Sequence, residues 1–212
     1  MMRLPTELYI QQARRWPAEG RHILAHYNAE TIVVYQAYRP SIGEYVIKHG
    51  VFGGEFSYSR MSWIKPNFLW MMYRSGWGTK EGQEITLGLR LRRRYFDSLL
   101  SRAIASSWHH SDQVAREAWQ AAIATSEVRL QWDPDHAPDG RRVDRRAIQL
   151  GLRGAALVAF GKHELLEVVD MTDFVAAQRA HLADAGLRHL RMPVERIYLP
   201  ADTSIARHLK LG

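Results

Sequence analysis

Residues 57–78 read SYSRMSWIKPNFLWMMYRSGWG. Trp63, Trp70, Trp77, Tyr58, Tyr73 and Phe68 alternate there with Arg60, Lys65 and Arg74. Pro66 suits the first turn of a helix, where its missing N–H costs nothing. The spacing predicts a helix over 67–75, closed by Gly76 in a left-handed cap. Its apolar residues cover nearly the whole circumference, so the helix is expected to be buried on more than one side. Lys65 stands at its entrance and Arg74 at its exit. A buried cation requires either a protein carboxylate or an anionic ligand.

Outward from this helix, TIVVYQA (31–37) is the clearest strand, with four β-branched residues followed by an aromatic. Pro40 opens a helix that Gly50 closes. Residues 84–92, EITLGLRLR, alternate with a period of two and mark a half-buried strand. Helices are expected over 95–106 and 111–125, the second with Asp112 near its start. Short strands are expected at 128–132, 146–152, 164–169 and 195–199, and one helical turn over 155–160. Residues 133–144, DPDHAPDGRRVD, read as a turn-rich polar loop. Thr172 caps a helix to about residue 185. The N-terminal residues 5–15 form a short amphipathic helix ended by Trp16-Pro17. Regular βαβ alternation is missing, so the expectation is an α+β fold with a single mixed or mainly antiparallel sheet of five or six strands and packed helices. One domain over 1–212 is expected, with an N-terminal helical arm (1–20) and a C-terminal tail (201–212).

The composition, 46% hydrophobic and 24% charged, is that of a chain with a real core. There is no cysteine, which excludes disulfides and thiolate metal sites and suits a reducing cytoplasm, the expected location. The N-terminus carries charges throughout and reads as neither a secretory signal nor a membrane span; no membrane partner is expected. The net charge of +7 favours an anionic partner, a nucleotide or a nucleic acid, although solubility alone accounts for such a charge equally well.

No Gly-rich phosphate loop, H-E-x-x-H pattern or nucleophile elbow occurs, and no metal is expected. His109 and His110 are adjacent, so their rings diverge as a surface pair. Asp133, Asp135 and Asp139 read better as a turn solvated by its own carboxylates than as a cation site. Tyr35 and Gln36 end the best strand and point to opposite faces; one of them faces the core. Arg60, Lys65 and Arg74, with Trp63 and Trp77, form either an anion pocket with a stacking ring or a packed helix whose cations pair with Glu55, Glu81 or Glu84. Arg146 and Gln149, near Arg141, Arg142 and Arg145, form a basic edge or a solvated basic loop.

The segments TIVVYQAY, SRMSWIKPNFLWMMYRSGW, KEGQE, VRLQWDP and RRAIQLGLRG resemble the family called domain of unknown function 4291, over about residues 20–200. A weaker resemblance joins VYQAYRPSIGEYVIKHGVF and PVERIYLPADT to the first and last motifs of ADP-ribosyltransferase-like domains. It implies that fold, NAD as cofactor, Gln36 or Tyr35 as the first-strand group, and Glu195, one place before the usual position, as the carboxylate that stabilises the oxocarbenium ion. The expected function is therefore a nucleotide- or nucleic-acid-directed transferase, ADP-ribosyltransferase-like and using NAD. Glu195, Gln36 and Tyr35 would be catalytic, and Arg60, Trp63, Lys65, Arg74, Trp77, Arg146 and Gln149 would hold the substrate and its phosphates. Two alternatives use the same residues differently: a non-catalytic RNA- or DNA-binding module, and a nucleotidyltransferase with Lys65 as nucleophile.

Overall fold

The computed structural model describes residues 4–110 and 115–212. Residues 111–114, where the helix carrying Asp112 was expected to begin, lie outside them, as does the side chain of His110. In chain order the elements are β1 (Thr6–Leu8), α1 (Tyr9–Ala13), β2 (Leu24–Ala25), β3 (Thr31–Tyr38), α2 (Pro40–His49), β4 (Ser62–Ile64), α3 (Phe68–Ser75), β5 (Ile85–Arg92), α4 (Arg93–Arg102) and β6 (Ile104–Ala105). There follow α5 (Arg116–Thr125), β7 (Val128–His136), β8 (Arg142–Leu152), α6 (Gly154–Ala159), β9 (Leu165–Asp170), α7 (Thr172–Ala180), β10 (Arg191–Pro193), β11 (Arg196–Ile197) and α8 (Thr203–His208).

The fold is α+β and mostly antiparallel, but the expected single sheet is not what forms. Among the described residues the strands make four sheets: β3-β5-β9, β4-β8-β7-β6, and the ribbons β1-β10 and β2-β11. The two larger sheets meet at one bridge. Tyr35 N–H donates to the Lys65 carbonyl at 2.7 Å, and Lys65 N–H donates to the Tyr35 carbonyl at 3.3 Å. The physical reason is Pro66: it follows at once and has no N–H with which to continue a ladder.

Two apolar clusters cover the two faces of this joined surface. Ile32, Val34, Ile64, Leu87, Leu89, Leu91, Ile148 and Leu150 face one, which α4 and α6 close. Val33 and Tyr35 face the other, with Phe68, Leu69 and Met72 of α3 and Val175 of α7. The expected half-buried β5 is covered on both faces: Thr86 and Gly88 are also buried, and a Cβ on Gly88 would lie 2.9 Å from Met171 Sδ.

Helix α3 forms as read, with one shift. Asn67 is its N-cap, its side-chain oxygen accepting the Trp70 N–H at 2.7 Å, so Pro66 precedes the cap instead of entering the first turn. Gly76, at φ 57°, closes it in the left-handed conformation. Phe68–Met72 and Ser75 are buried, whereas Tyr73 and Arg74 are exposed.

The polar stretch 133–144 is largely strand: β7 runs to His136, β8 starts at Arg142, and only 137–141 turn. Asp135, read as solvated, is fully buried and paired with Arg145 at 2.6 Å across the hairpin, which carries the ladder further than turn-forming residues suggest. At the N-terminus, pairing of Thr6–Leu8 with Arg191–Pro193 overrides helix propensity and leaves α1 five residues. The C-terminal segment contains α8, whose Ile205 is buried against the core.

Candidate functional site

Strand register places the candidate site. Ile64 lies opposite Leu150, and Gln149 lies opposite Gln131. The next step along β4 therefore sets Lys65 beside Gln149, while its other side is bridged to Tyr35. Paired residues of antiparallel strands project to the same face. Tyr35, Lys65, Gln149 and Gln131 thus form one row across both sheets. Trp63, Arg129 and Asp133 occupy adjoining positions on that face by the period of two. The Trp63 ring lies across Gly151, where an added Cβ would come within 3.0 Å of it.

Asp133 is held by two neutral amides. Gln131 Nε2 donates to Oδ1 at 2.7 Å and Gln149 Nε2 donates to Oδ2 at 2.7 Å. The carboxylate is positioned by uncharged donors. Lys65 is only 6% exposed, and among the described residues its ammonium group makes no hydrogen bond or ion pair. Burial and, less strongly, the Arg74 charge lower its pKa to about 8, against the opposing pull of Asp133. Of the carboxylates considered as structural partners, Glu55 is taken by Arg39 and Ser41, and Glu84 accepts the Gly82 N–H. Arg129 Nε, on the same face, is buried with no acceptor among the described residues.

Tyr35, Trp63, Lys65, Arg74 and Gln149 converge on this region. The other expected residues do not. Gln36 faces the opposite side, where Nε2 donates to Ser62 Oγ (2.8 Å) and to the Trp63 carbonyl (3.1 Å), pinning the seam between the sheets. Trp77 is buried against Phe68, and its indole N–H donates to the Pro138 carbonyl at 3.2 Å. Arg146 is exposed on the other face of β8, its N–H bound to the Gly20 carbonyl. Arg60 is exposed and makes no ion pair among the described residues.

Glu195 is 3% exposed and serves α3. Its Oε1 accepts the Phe68 N–H at 2.8 Å, at the positive end of the helix. Its own N–H donates to Gln12 Oε1 at 2.8 Å, and its carbonyl accepts from Trp16 Nε1 at 3.1 Å. Burial holds its carboxyl well above the usual range and the Asp135 charge adds to this, against the Phe68 N–H, Tyr35 and Arg145. The Tyr35 hydroxyl neighbours that carboxyl, yet among the described residues neither Tyr35 Oη nor Glu195 Oε2 makes a well-formed hydrogen bond. The charged neighbours of Glu195 are Asp135 and Arg145; those of Lys65 are Arg74 and Asp133.

Sequence reasoning missed Arg129 and Gln131 and placed Asp133 in a loop. The signal was present: in VRLQWD the polar residues Arg129, Gln131 and Asp133 alternate with Val128, Leu130 and Trp132.

An α+β chain carrying an uncompensated cation on a polar sheet face is the class that fold and site define. The chain belongs to the family described as domain of unknown function (DUF4291), which matches residues 22–198. No curated protein matches the chain. Among the described residues no helix is long and apolar enough to cross a membrane.

Proposed function

We propose that the protein is a nucleotide- or nucleic-acid-directed transferase that holds substrate phosphate at Lys65 and Arg74. The observation that carries this reading is the buried Lys65 side chain, which makes no hydrogen bond or ion pair among the described residues. Such a group is costly until an anion arrives, and a phosphate oxygen supplies both the charge and the acceptor. Arg74, exposed beside it, adds a second cation, and the half-buried Trp63 offers a flat ring to a base. Asp133, fixed by its two glutamines, supplies a carboxylate for positioning or for accepting a proton from the incoming hydroxyl. Rate enhancement then comes from positioning and electrostatics.

An ADP-ribosyltransferase-like fold with NAD as donor is the version supported by the terminal motifs. Glu195, buried and committed to the Phe68 N–H, lends it no further support. A second reading has its own observation, the lowered pKa of about 8. An appreciable neutral fraction of Lys65 then exists near physiological pH, as a nucleophilic lysine requires. In that reaction Nζ attacks the α-phosphorus of a nucleoside triphosphate. A P–N bond forms, the P–O bond to pyrophosphate breaks, and the amine proton passes to solvent. The binding-only reading has less to use, because Trp70 and Trp77 are buried.

The test is calorimetry with ATP, GTP, NAD and a short single-stranded RNA, followed by intact-mass analysis. A phosphate-bearing ligand is expected to bind, and Lys65→Met and Arg74→Ala are each expected to weaken it by about tenfold or more, roughly 1.4 kcal/mol. A nucleotide mass on the protein, lost in Lys65→Met, selects the covalent version. Absence of binding by all four ligands, or undiminished binding by Lys65→Met, ends the proposal.

A further inference from the structure

The segment between α7 and β10 brings together three side chains that the site above does not use. His181 Nδ1 lies 3.0 Å from Asp184 Oδ2, and His189 Nδ1 lies 2.9 Å from the same oxygen. The three donor atoms all fall within 4.8 Å of one another. Both rings therefore aim a ring nitrogen at one carboxylate oxygen from opposite ends of a nine-residue segment. The spacing H-x-x-D-x-x-x-x-H belongs to no common metal pattern, which is why the sequence raised no such expectation.

The backbone holds this convergence in place. The Asp184 N–H donates to the His181 carbonyl at 3.2 Å, the Leu187 N–H to the Asp184 carbonyl at 3.0 Å, and the Leu190 N–H to the Leu187 carbonyl at 3.2 Å. The Arg191 N–H, just beyond, donates to Gln178 Oε1 of α7 at 2.6 Å. Leu190 is fully buried, and Leu182 and Leu187 pack against the same apolar cluster as α3. Leu187 takes φ 55°, a left-handed conformation that a branched residue rarely adopts, so the segment is turned back sharply. The side chains that converge stay at the surface, His189 most of all at 71% exposed.

We propose that His181, Asp184 and His189 bind a single divalent transition ion of the zinc class. Two imidazole nitrogens and one carboxylate oxygen are donors suited to zinc, cobalt or nickel, whereas magnesium and calcium favour all-oxygen sets. In a tetrahedral zinc site with bonds of about 2.0–2.1 Å the ligand atoms stand about 3.3 Å apart. The nitrogens stand 3.0 and 2.9 Å from the oxygen and within 4.8 Å of each other, so side-chain adjustments of about 1.5 Å or less bring all three to zinc-ligand spacing. Each neutral imidazole then carries its proton on Nε2 instead of Nδ1, and the fourth position is left to water or an external ligand. The site is independent of Lys65 and of the transferase reading.

The experiment is calorimetry of the chelator-treated full chain with Zn2+, with Mg2+ as control and Co2+ absorption as a report of coordination. A single Zn2+ is expected to bind and Mg2+ is not. His189→Ala and Asp184→Asn are each expected to weaken Zn2+ about tenfold or more. His189 is exposed enough that its alanine variant should keep the wild-type melting temperature in chelator, and Lys65→Met should bind Zn2+ like wild type. No Zn2+ binding, or binding unchanged in both His189→Ala and Asp184→Asn, overturns the proposal.

Discussion

Arg145 and Lys65 are both buried cations on one face of the same sheet, and their surroundings are opposite. Arg145 is fully engaged: Nε and Nη2 meet Asp135 Oδ2 at 2.8 and 2.6 Å, Nη1 donates to the Pro17 carbonyl at 2.6 Å, and the guanidinium stacks on Trp16 at 5.3 Å. Lys65 has none of these. The neighbouring carboxylates differ in the same sense. Asp135 is paired with Arg145, whereas the donors to Asp133 among the described residues are glutamine amides. Arg145 lies four residues from Gln149 on β8, roughly 13 Å along the strand. One end of this face is a closed electrostatic unit that ties the N-terminal arm to the hairpin. The other is open, which is what a ligand site requires.

Removing one partner of a closed pair leaves a buried charge behind. Arg145→Ala is expected to cost about 3–5 kcal/mol in urea unfolding. Lys65→Met removes an uncompensated charge and is expected to leave stability unchanged or raise it by about 1–3 kcal/mol. If Lys65→Met destabilises as much as Arg145→Ala, Lys65 has a structural partner and the contrast collapses.

The pH dependence gives a second measure. The Lys65 pKa is lowered from 10.5 to about 8 in the folded protein. Between those values the unfolded chain holds a proton that the folded chain has released, so stability rises with pH. Wild type should therefore gain on Lys65→Met as pH goes from about 8 to 10.5, by about 2–3 kcal/mol, measured by denaturation at each pH. A constant difference across that window would show an ordinary lysine.

Glu195 tests the closed end with a smaller effect. Its folded pKa is raised above the ordinary 4.5, so the folded state holds the extra proton and stability falls as pH climbs past that value. In Glu195→Gln the amide oxygen still accepts the Phe68 N–H. The cost should stay within about 1 kcal/mol at acid pH, and the variant should overtake wild type toward neutrality. If the glutamine variant instead keeps its stability but loses transfer activity, Glu195 belongs to the chemistry after all. The smallest change is expected from Tyr35→Phe, within about 0.5 kcal/mol, because its hydroxyl makes no well-formed hydrogen bond. A loss well above that would reveal a bond to Glu195.

The regular elements were legible wherever the signal was local. The β-branched run of β3, Pro40 and Gly50 around α2, Gly76 after α3 and the alternation of β5 each announce their structure through dihedral preference or period. The aromatic helix was readable as a buried scaffold, with chemistry assigned to its ends. Its start was misread by one residue, because the Asn67 side chain accepts the Trp70 N–H and caps the helix, leaving Pro66 outside the first turn. The 133–144 stretch was misread because Asp, Pro and Gly mark turns locally, while Asp135 and Arg145 pair across the hairpin.

The sequence alone determined the α+β class, the buried aromatic helix, the basic charge and the suspicion that Lys65 and Arg74 need an anion. Only the tertiary structure decided that the strands divide into several sheets, that Lys65 joins Tyr35, Gln149 and Gln131 in one row, and that Glu195 caps a helix in the interior. It also decided which buried charges are paired. Dihedral preferences and hydrophobic periods act over a few residues and are written in the chain. Strand register and the presence or absence of a counter-ion depend on residues far apart in sequence, and are set only when burial brings them together.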